Sequence, residues 1–194
     1  MKKNIGTYYA KTRKLTRSIA VTNKKGNRFD LESGFKKAIE FITGCAVNGG
    51  KLIFIGNGAS ASIASHMAAD FWKNGKIRAV AFNDAALLTC VSNDFSYSKD
   101  FKKPIEMFAD SGDVLVAISS SGKSENIIKG ARMALEKGCT VVTLSGFKKD
   151  NALRYLGDIN FYVPASSYGQ IEVLHHSICH CLLDNIVCEK GNSK

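Results

Sequence analysis

The chain has few of the features that would take it out of the class of ordinary globular domains. It holds only two prolines in 194 residues, and no internal repeat, low-complexity stretch or linker divides it. No apolar run nears the roughly 18–20 residues that span a bilayer, and the N-terminus is too polar and basic for a secretory signal. Export and membrane insertion are therefore not expected. Six cysteines, at positions 45, 90, 139, 179, 181 and 188, include no C-x-x-C pair. Without a signal peptide they read as reduced, mostly buried thiols of a cytoplasmic protein. Cys179-His180-Cys181 has the look of a metal cluster. On a helix, however, the two cysteines project about 200° apart, so both are assigned to packing.

Acidic residues are missing from one stretch. Residues 1–28 carry nine Lys/Arg and no Asp or Glu, whereas the other 166 residues carry 18 basic and 17 acidic side chains. The net charge of +10 is thus the property of an arm, residues 1–28, attached to a nearly neutral domain, residues 29–194. Such an arm can meet RNA, DNA or an acidic partner, but Tyr8 and Tyr9 are not part of any nucleic-acid-binding motif. A solubilising or subunit-packing arm is the favoured reading, and a nucleic-acid partner is not expected. A transit peptide would also be acid-free, but this segment is Lys-rich and Ser-poor.

Apolar spacing predicts a helix over Asp30–Ala46, ended by Gly49-Gly50. Short β-branched or aromatic runs follow at Leu52–Ile55, Ala79–Phe82, Val114–Ile118, Thr140–Leu144 and Ile159–Val163. Uninterrupted runs of this length mark strands buried on both faces. Helical patterns lie between them at Ala59–Trp72, around Ser98–Phe108, at Ser124–Lys137 and Asn151–Tyr155. A long terminal helix runs from about Gln170 to Cys188. This alternation predicts an α/β fold, a three-layer αβα sandwich with a five-stranded parallel sheet.

In such folds ligands bind outside the carboxyl ends of the strands, where two loops stand out. Gly56-Asn57-Gly58-Ala59-Ser60 allows close backbone approach and opens a helix. It lacks the third glycine of a dinucleotide fingerprint, because Ala61 stands there. Ser119-Ser120-Ser121-Gly122-Lys123-Ser124 supplies four hydroxyls where capping needs one, which favours a phosphomonoester site. Gly122-Lys123-Ser124 imitates the end of a P-loop, but the first glycine of that motif would fall at Ala117, inside a strand.

Two stretches carry acid–base or metal candidates. His66 and Asp70, spaced i, i+4, share a helix face. Glu172, His176 and His180 recur every four residues along an otherwise apolar helix, with His175 about 100° away from His176. Either these groups form a network of satisfied core histidines, or His180 and Glu172 meet His66 and Asp70 near the serine loop as a zinc site.

Taken in order, Gly56-Asn57-Gly58-Ala59-Ser60, His66-x-x-x-Asp70, Ser92-Asn93-Asp94-Phe95, Ile118 to Ser124 and Glu172…His180 resemble the sugar isomerase (SIS) domain family over about residues 29–189. Within that family they are most similar to the phosphoheptose isomerase branch. The resemblance implies a flavodoxin-like sandwich, a homotetramer and sites shared between subunits. It implies that Ser60, Ser119, Ser121 and Ser124 bind phosphate and that Asn57 and Asp94 lie near the sugar. Glu172 would also border the substrate. His180 and Asp70 would be catalytic, and zinc, where present, would fall to His66, Asp70, Glu172 and His180. The chain departs from the family pattern at Asp70 (usually Glu), Glu172 (usually Gln), Gly169 (usually Asp), Asn74 (usually Arg) and Ala59 (usually Gly).

The expected activity is an aldose–ketose isomerisation of sedoheptulose 7-phosphate to D-glycero-D-manno-heptose 7-phosphate through an enediol, feeding heptose synthesis for surface polysaccharide. Asp70 would remove the proton beside the carbonyl and His180 would shuttle protons between the oxygens. Isomerisation of another sugar phosphate and a non-catalytic sugar-phosphate sensor or assembly protein are the alternatives.

Overall fold

The computed structural model describes residues 5–191; the first four residues of the basic arm and the last three of the chain lie outside the described residues. The chain opens with α1 (Ile5–Thr16), then β1 (Ala20–Thr22), β2 (Arg28–Phe29) and α2 (Leu31–Val47). Strand–helix alternation follows in β3 (Leu52–Gly56), α3 (Ala59–Lys73), β4 (Ala79–Ala81), α4 (Ala85–Asp94), α5 (Lys102–Phe108), β5 (Val114–Ser119), α6 (Glu125–Glu136), β6 (Thr140–Ser145), β7 (Ile159–Tyr162) and α7 (Tyr168–Gly191).

The five expected strands form the parallel body, but the sheet has seven strands, in the order β2-β1-β7-β6-β5-β3-β4. The additional pair comes from the end of the basic arm together with Phe29, the first residue after it. β1 runs antiparallel to β7, with Val21 opposite Phe161, and β2 folds back on β1. At three and two residues these strands are too short to show a hydrophobic period. They are not loosely attached: a Cβ at Gly34 of α2 would fall 2.5 Å from Val21, so helix and strand pack in direct contact.

Other local differences have similar causes. The helix expected around Ser98–Phe108 divides into a short 3-10 turn, Tyr97–Lys99, and α5; Asn151 caps a second 3-10 turn over Ala152–Tyr155. The Ser92–Phe95 motif falls in α4 and its C-cap; Asp84 caps this helix by accepting from Leu87 N–H at 2.9 Å. The cysteines are all free, but only Cys45, Cys139 and Cys179 are buried, so the expectation of mostly buried thiols is corrected to half. Cys181 is exposed and does not pack, because it projects from α7 away from the face that buries Cys179.

Alternate strand residues face two cores. Leu52, Phe54, Val116 and Leu144 pack under α2, α3 and α7. Ile53, Ile55, Leu115 and Val141 pack under α5 and α6. No helix among the described residues is long and apolar enough to cross a membrane.

Asn160 locks the arm onto the sheet. Fully buried on β7, its Oδ1 accepts from Thr143 Oγ1 at 2.6 Å and from Gly157 N–H at 3.1 Å. Its amide donates to the carbonyls of Thr22 at 3.0 Å and Gly157 at 2.9 Å. Asn160→Leu would orphan partners on three segments, at roughly 1–3 kcal/mol per unsatisfied group. The expected loss is at least about 3 kcal/mol, seen as a lower urea midpoint at unchanged slope.

Candidate active site

β3 pairs with β4 on one side and β5 on the other. Successive connections therefore leave in opposite directions from the gap between β3 and β5, the switch point where open α/β sheets bind ligands. Both loops singled out in the sequence leave the sheet there. At Gly56 a Cβ would fall 2.5 Å from the Ser60 backbone. Glycine is what lets the first turn of α3 fold over the strand end. Gly58 opens that helix at φ +56°.

The serine loop is tied by its own hydroxyls. Gly122 N–H donates to Ser119 O at 3.0 Å and reaches Ser119 Oγ at 3.2 Å. Ser119 and Ser124 hydroxyls lie 3.3 Å apart, and Lys123 N–H donates to Ser121 Oγ at 3.2 Å. Gly122 has φ +63°, and a Cβ there would collide with Asn151.

The two loops face one cleft of about 270 Å³. Asn57, Ser60, Ser119, Ser121, Ser124 and Glu172, all expected at the site, line it together with Ser120 and Tyr168. Ser120 Oγ is buried and has no hydrogen-bond partner among the described residues. It is a buried hydroxyl without a protein acceptor, on a residue that borders the cleft. Asp94 does not join this group. It ends α4 exposed, accepting from Asn93 Nδ2 at 2.9 Å.

Asn126, which the sequence did not mark, holds the loops together. Asn57 and Asn126 exchange amide hydrogen bonds, both 2.9 Å, and Asn126 is fully buried in the first turn of α6. Nothing local marks Asn126, because its partner is 69 residues away and shows only in the fold.

His66, Asp70 and His180 lie along α3 and α7, beyond the serine cleft. His66 Nε2 is 3.2 Å from Asp70 Oδ2, and Asn74 Nδ2 donates to Asp70 Oδ1 at 3.3 Å. The rings of His66, His176 and His180 form a group, with centroids 4.6–5.5 Å apart. One ligand atom of each lies within 4.8 Å of the others, so the group could hold a metal ion. Of the expected zinc set, His66 and His180 are in the group. Asp70 is paired to His66 from outside it, and Glu172 lines the serine cleft. Asp70 and His180 border a groove of about 630 Å³, joined by Asp184, which continues the α7 stripe one turn further. Burial, and next the charges of His180 and His66, hold His176 below the usual histidine range.

His175 belongs to the core. Fully buried, its Nε2 lies 3.1 Å from the Ser145 carbonyl, and loss of solvation pushes its pKa down to about 4.

A doubly wound sheet with a hydroxyl-rich loop at its switch point and an imidazole group beside it defines a ligand-binding α/β domain. The chain belongs to the SIS domain family, whose profile matches residues 7–146. It is 37% identical to the phosphoheptose isomerase of Shewanella frigidimarina over 165 residues, 80% of this chain and 83% of that protein. The structure of phosphoheptose isomerase GmhA from Neisseria gonorrhoeae superposes with a TM-score of 0.82 at 29% identity, covering 94% of this chain and 97% of that one. That of a phosphoheptose isomerase from Francisella tularensis gives 0.82 at 28%, covering 95% and 96%.

Two outcomes follow for this region. Gly122→Ala should cost about 1–3 kcal/mol by forcing a side chain into a left-handed turn against Asn151, with weaker sugar-phosphate binding by calorimetry. His175 stays neutral when folded down to pH about 4 but takes a proton near 6.5 when unfolded. The unfolded chain binds more protons across that window, so stability falls as pH drops through it. The contribution is about 3 kcal/mol. In urea melts at pH 7 and 4.5, His175→Gln should lose that component of the pH dependence.

Proposed function

We propose that this protein is an aldose–ketose isomerase that converts sedoheptulose 7-phosphate to D-glycero-D-manno-heptose 7-phosphate. The observation that carries the reading is the serine cleft at the switch point, joined along one polar stripe of α7 to the His180–Asp70 groove. Glu172 at the cleft and His180 in the groove are eight residues apart, or about 12 Å along the helix. That separation suits a long-chain sugar whose phosphate is far from its reactive carbons. Identity to curated phosphoheptose isomerases over four-fifths of the chain supports the same substrate.

In this reading Ser60, Ser119, Ser121 and Ser124 hold the phosphate, and Asn57, Glu172 and Asp94 meet the sugar hydroxyls. Anchoring the remote phosphate supplies orientation at the reacting end. Asp70 takes a proton from C1 while His180 protonates the C2 oxygen, giving the cis-enediol. His180 then removes the proton from the C1 oxygen, and Asp70 returns its proton to C2. Zinc held by His66 and His180 would supply a Lewis acid that polarises the carbonyl.

The proposed assembly is a cytoplasmic homotetramer with sites shared between copies. Exposed Trp72, Tyr97, Met107 and Phe108 favour association. Asp94 stands away from the cleft of its own chain, as a residue supplied across a subunit boundary would. Residues 1–28 are its arm and 29–194 its catalytic domain, sharing one sheet.

NMR of the purified protein with sedoheptulose 7-phosphate should show an aldoheptose 7-phosphate appearing. His180→Gln should slow this by about 10²–10⁴-fold while calorimetry still registers sugar-phosphate binding. Unchanged turnover in that variant would remove His180 from the chemistry, and no conversion by the wild type would remove the substrate.

A further inference from the structure

The reaction sketched above leaves His176 without a role. It stands on the polar stripe of α7 midway between Glu172 and His180, and its Nε2 is buried with no hydrogen-bond partner among the described residues. A buried, unsatisfied polar nitrogen costs roughly 1–3 kcal/mol. The groups that face it are two other imidazoles, His66 with its ring centroid 5.2 Å away and His180 at 4.6 Å. Two more rings are a poor answer to an unsatisfied nitrogen, unless all three share a ligand.

We infer that His66, His176 and His180 together form a three-imidazole site for a divalent transition metal of zinc's class, with Asp70 and Glu172 outside its coordination shell. The inference deepens the proposed isomerase site, and it rests on that reading only for what the metal would do there. Three donor atoms already within 4.8 Å of one another need small ring rotations to reach the ~3.4 Å spacing of nitrogens on a tetrahedral ion with Zn–N near 2.0–2.1 Å. Glu172 and His180 are two helical turns apart, whereas His176 is one turn from His180 and already in contact with His66. Asp70 has both oxygens engaged, one with His66 and one with Asn74. It therefore suits an outer partner that orients a ligating ring and raises its basicity.

Charge points the same way. Three neutral imidazoles leave the ion its full double positive charge and a fourth position open for a substrate oxygen. Two ligating carboxylates would neutralise it. Outside the shell, Asp70 is also not tied to the ion when it takes the substrate proton.

The test is a metal titration of the full chain stripped with a chelator, using Co²⁺ as the visible probe and Zn²⁺ as its competitor. The wild type should bind one Co²⁺ per protomer with the intense visible bands of a four- or five-coordinate ion. His176→Leu should weaken Zn²⁺ binding by at least about 100-fold, beyond the ~10–100-fold that an outer partner such as Asp70→Asn would cost. Glu172→Gln should change it by less than about threefold. His176→Gln, with a metal-free melting curve for each variant, gives the same reading should the leucine variant fail to fold. No Co²⁺ uptake by the wild type would overturn the inference. So would unchanged affinity in both His176 variants, or a loss in Glu172→Gln as large as theirs. Tight metal binding that depends on His176, without conversion of sedoheptulose 7-phosphate, would overturn the isomerase reading and leave the metal site standing.

Discussion

The site depends on the parallel pairing of β3 with β5. Phe54 opposite Val116 and Gly56 opposite Ile118 fix the register of these two strands, and so fix which residues stand side by side at the sheet edge. Strands buried on both faces are pinned by two cores at once, because a one-residue slip would exchange the contents of both layers. The edge is therefore rigid, and the loops that leave it are set within narrow limits. Gly56, Gly58 and Gly122 complete the constraint by allowing backbone where a side chain would collide or strain.

On that edge the protein assembles hydroxyls in a way that costs little to maintain. Ser119, Ser121 and Ser124 satisfy turn N–H groups and one another, so the loop keeps its shape through its own hydrogen bonds. Asn126 and Asn57 then hold this loop to its neighbour with a closed pair of amide bonds, Asn126 fully buried and Asn57 at the edge of the cleft. Preorganised donors of this kind need no rearrangement when an anion arrives. α7 extends the arrangement. Its stripe of Glu172, His176, His180 and Asp184 begins at the serine cleft and ends in the groove beside Asp70. One helix thus connects the place we propose for the phosphate with the place we propose for proton transfer.

The basic arm has a double character. Its charge makes it look like a detached tail, yet Val21 packs against α2 and Thr22 accepts from the buried amide of Asn160. Adding an antiparallel pair beside β7 covers the strand that would otherwise end the parallel sheet with open hydrogen-bonding groups. Among the described residues the arm's lysines and arginines are exposed, so fold and charge are carried by different residues of one segment.

Much of this was legible in the sequence. Uninterrupted apolar runs mark the parallel strands, because burial on both faces removes polar alternation. Glycines and serines mark the two loops, because turn geometry and helix capping are local matters decided by neighbouring residues. The i, i+4 spacing of His66 with Asp70, and of the α7 stripe, is likewise a property of one helix. What joins distant segments was not legible. β1 and β2 are too short to carry a period. Asn126 carries no signal of its own until Asn57 is opposite it, and Asn74 looks like an exchanged residue until it bonds Asp70. Which stripe residues meet His66 depends on how α3 lies against α7. The sequence by itself determined the kinds of element and the residues available for chemistry, since those follow from period and turn geometry. Only the tertiary structure decided that Glu172 joins the serine cleft while His176 joins the imidazoles. That choice is set by helix packing, and one turn along α7 moves a side chain by about 5.4 Å.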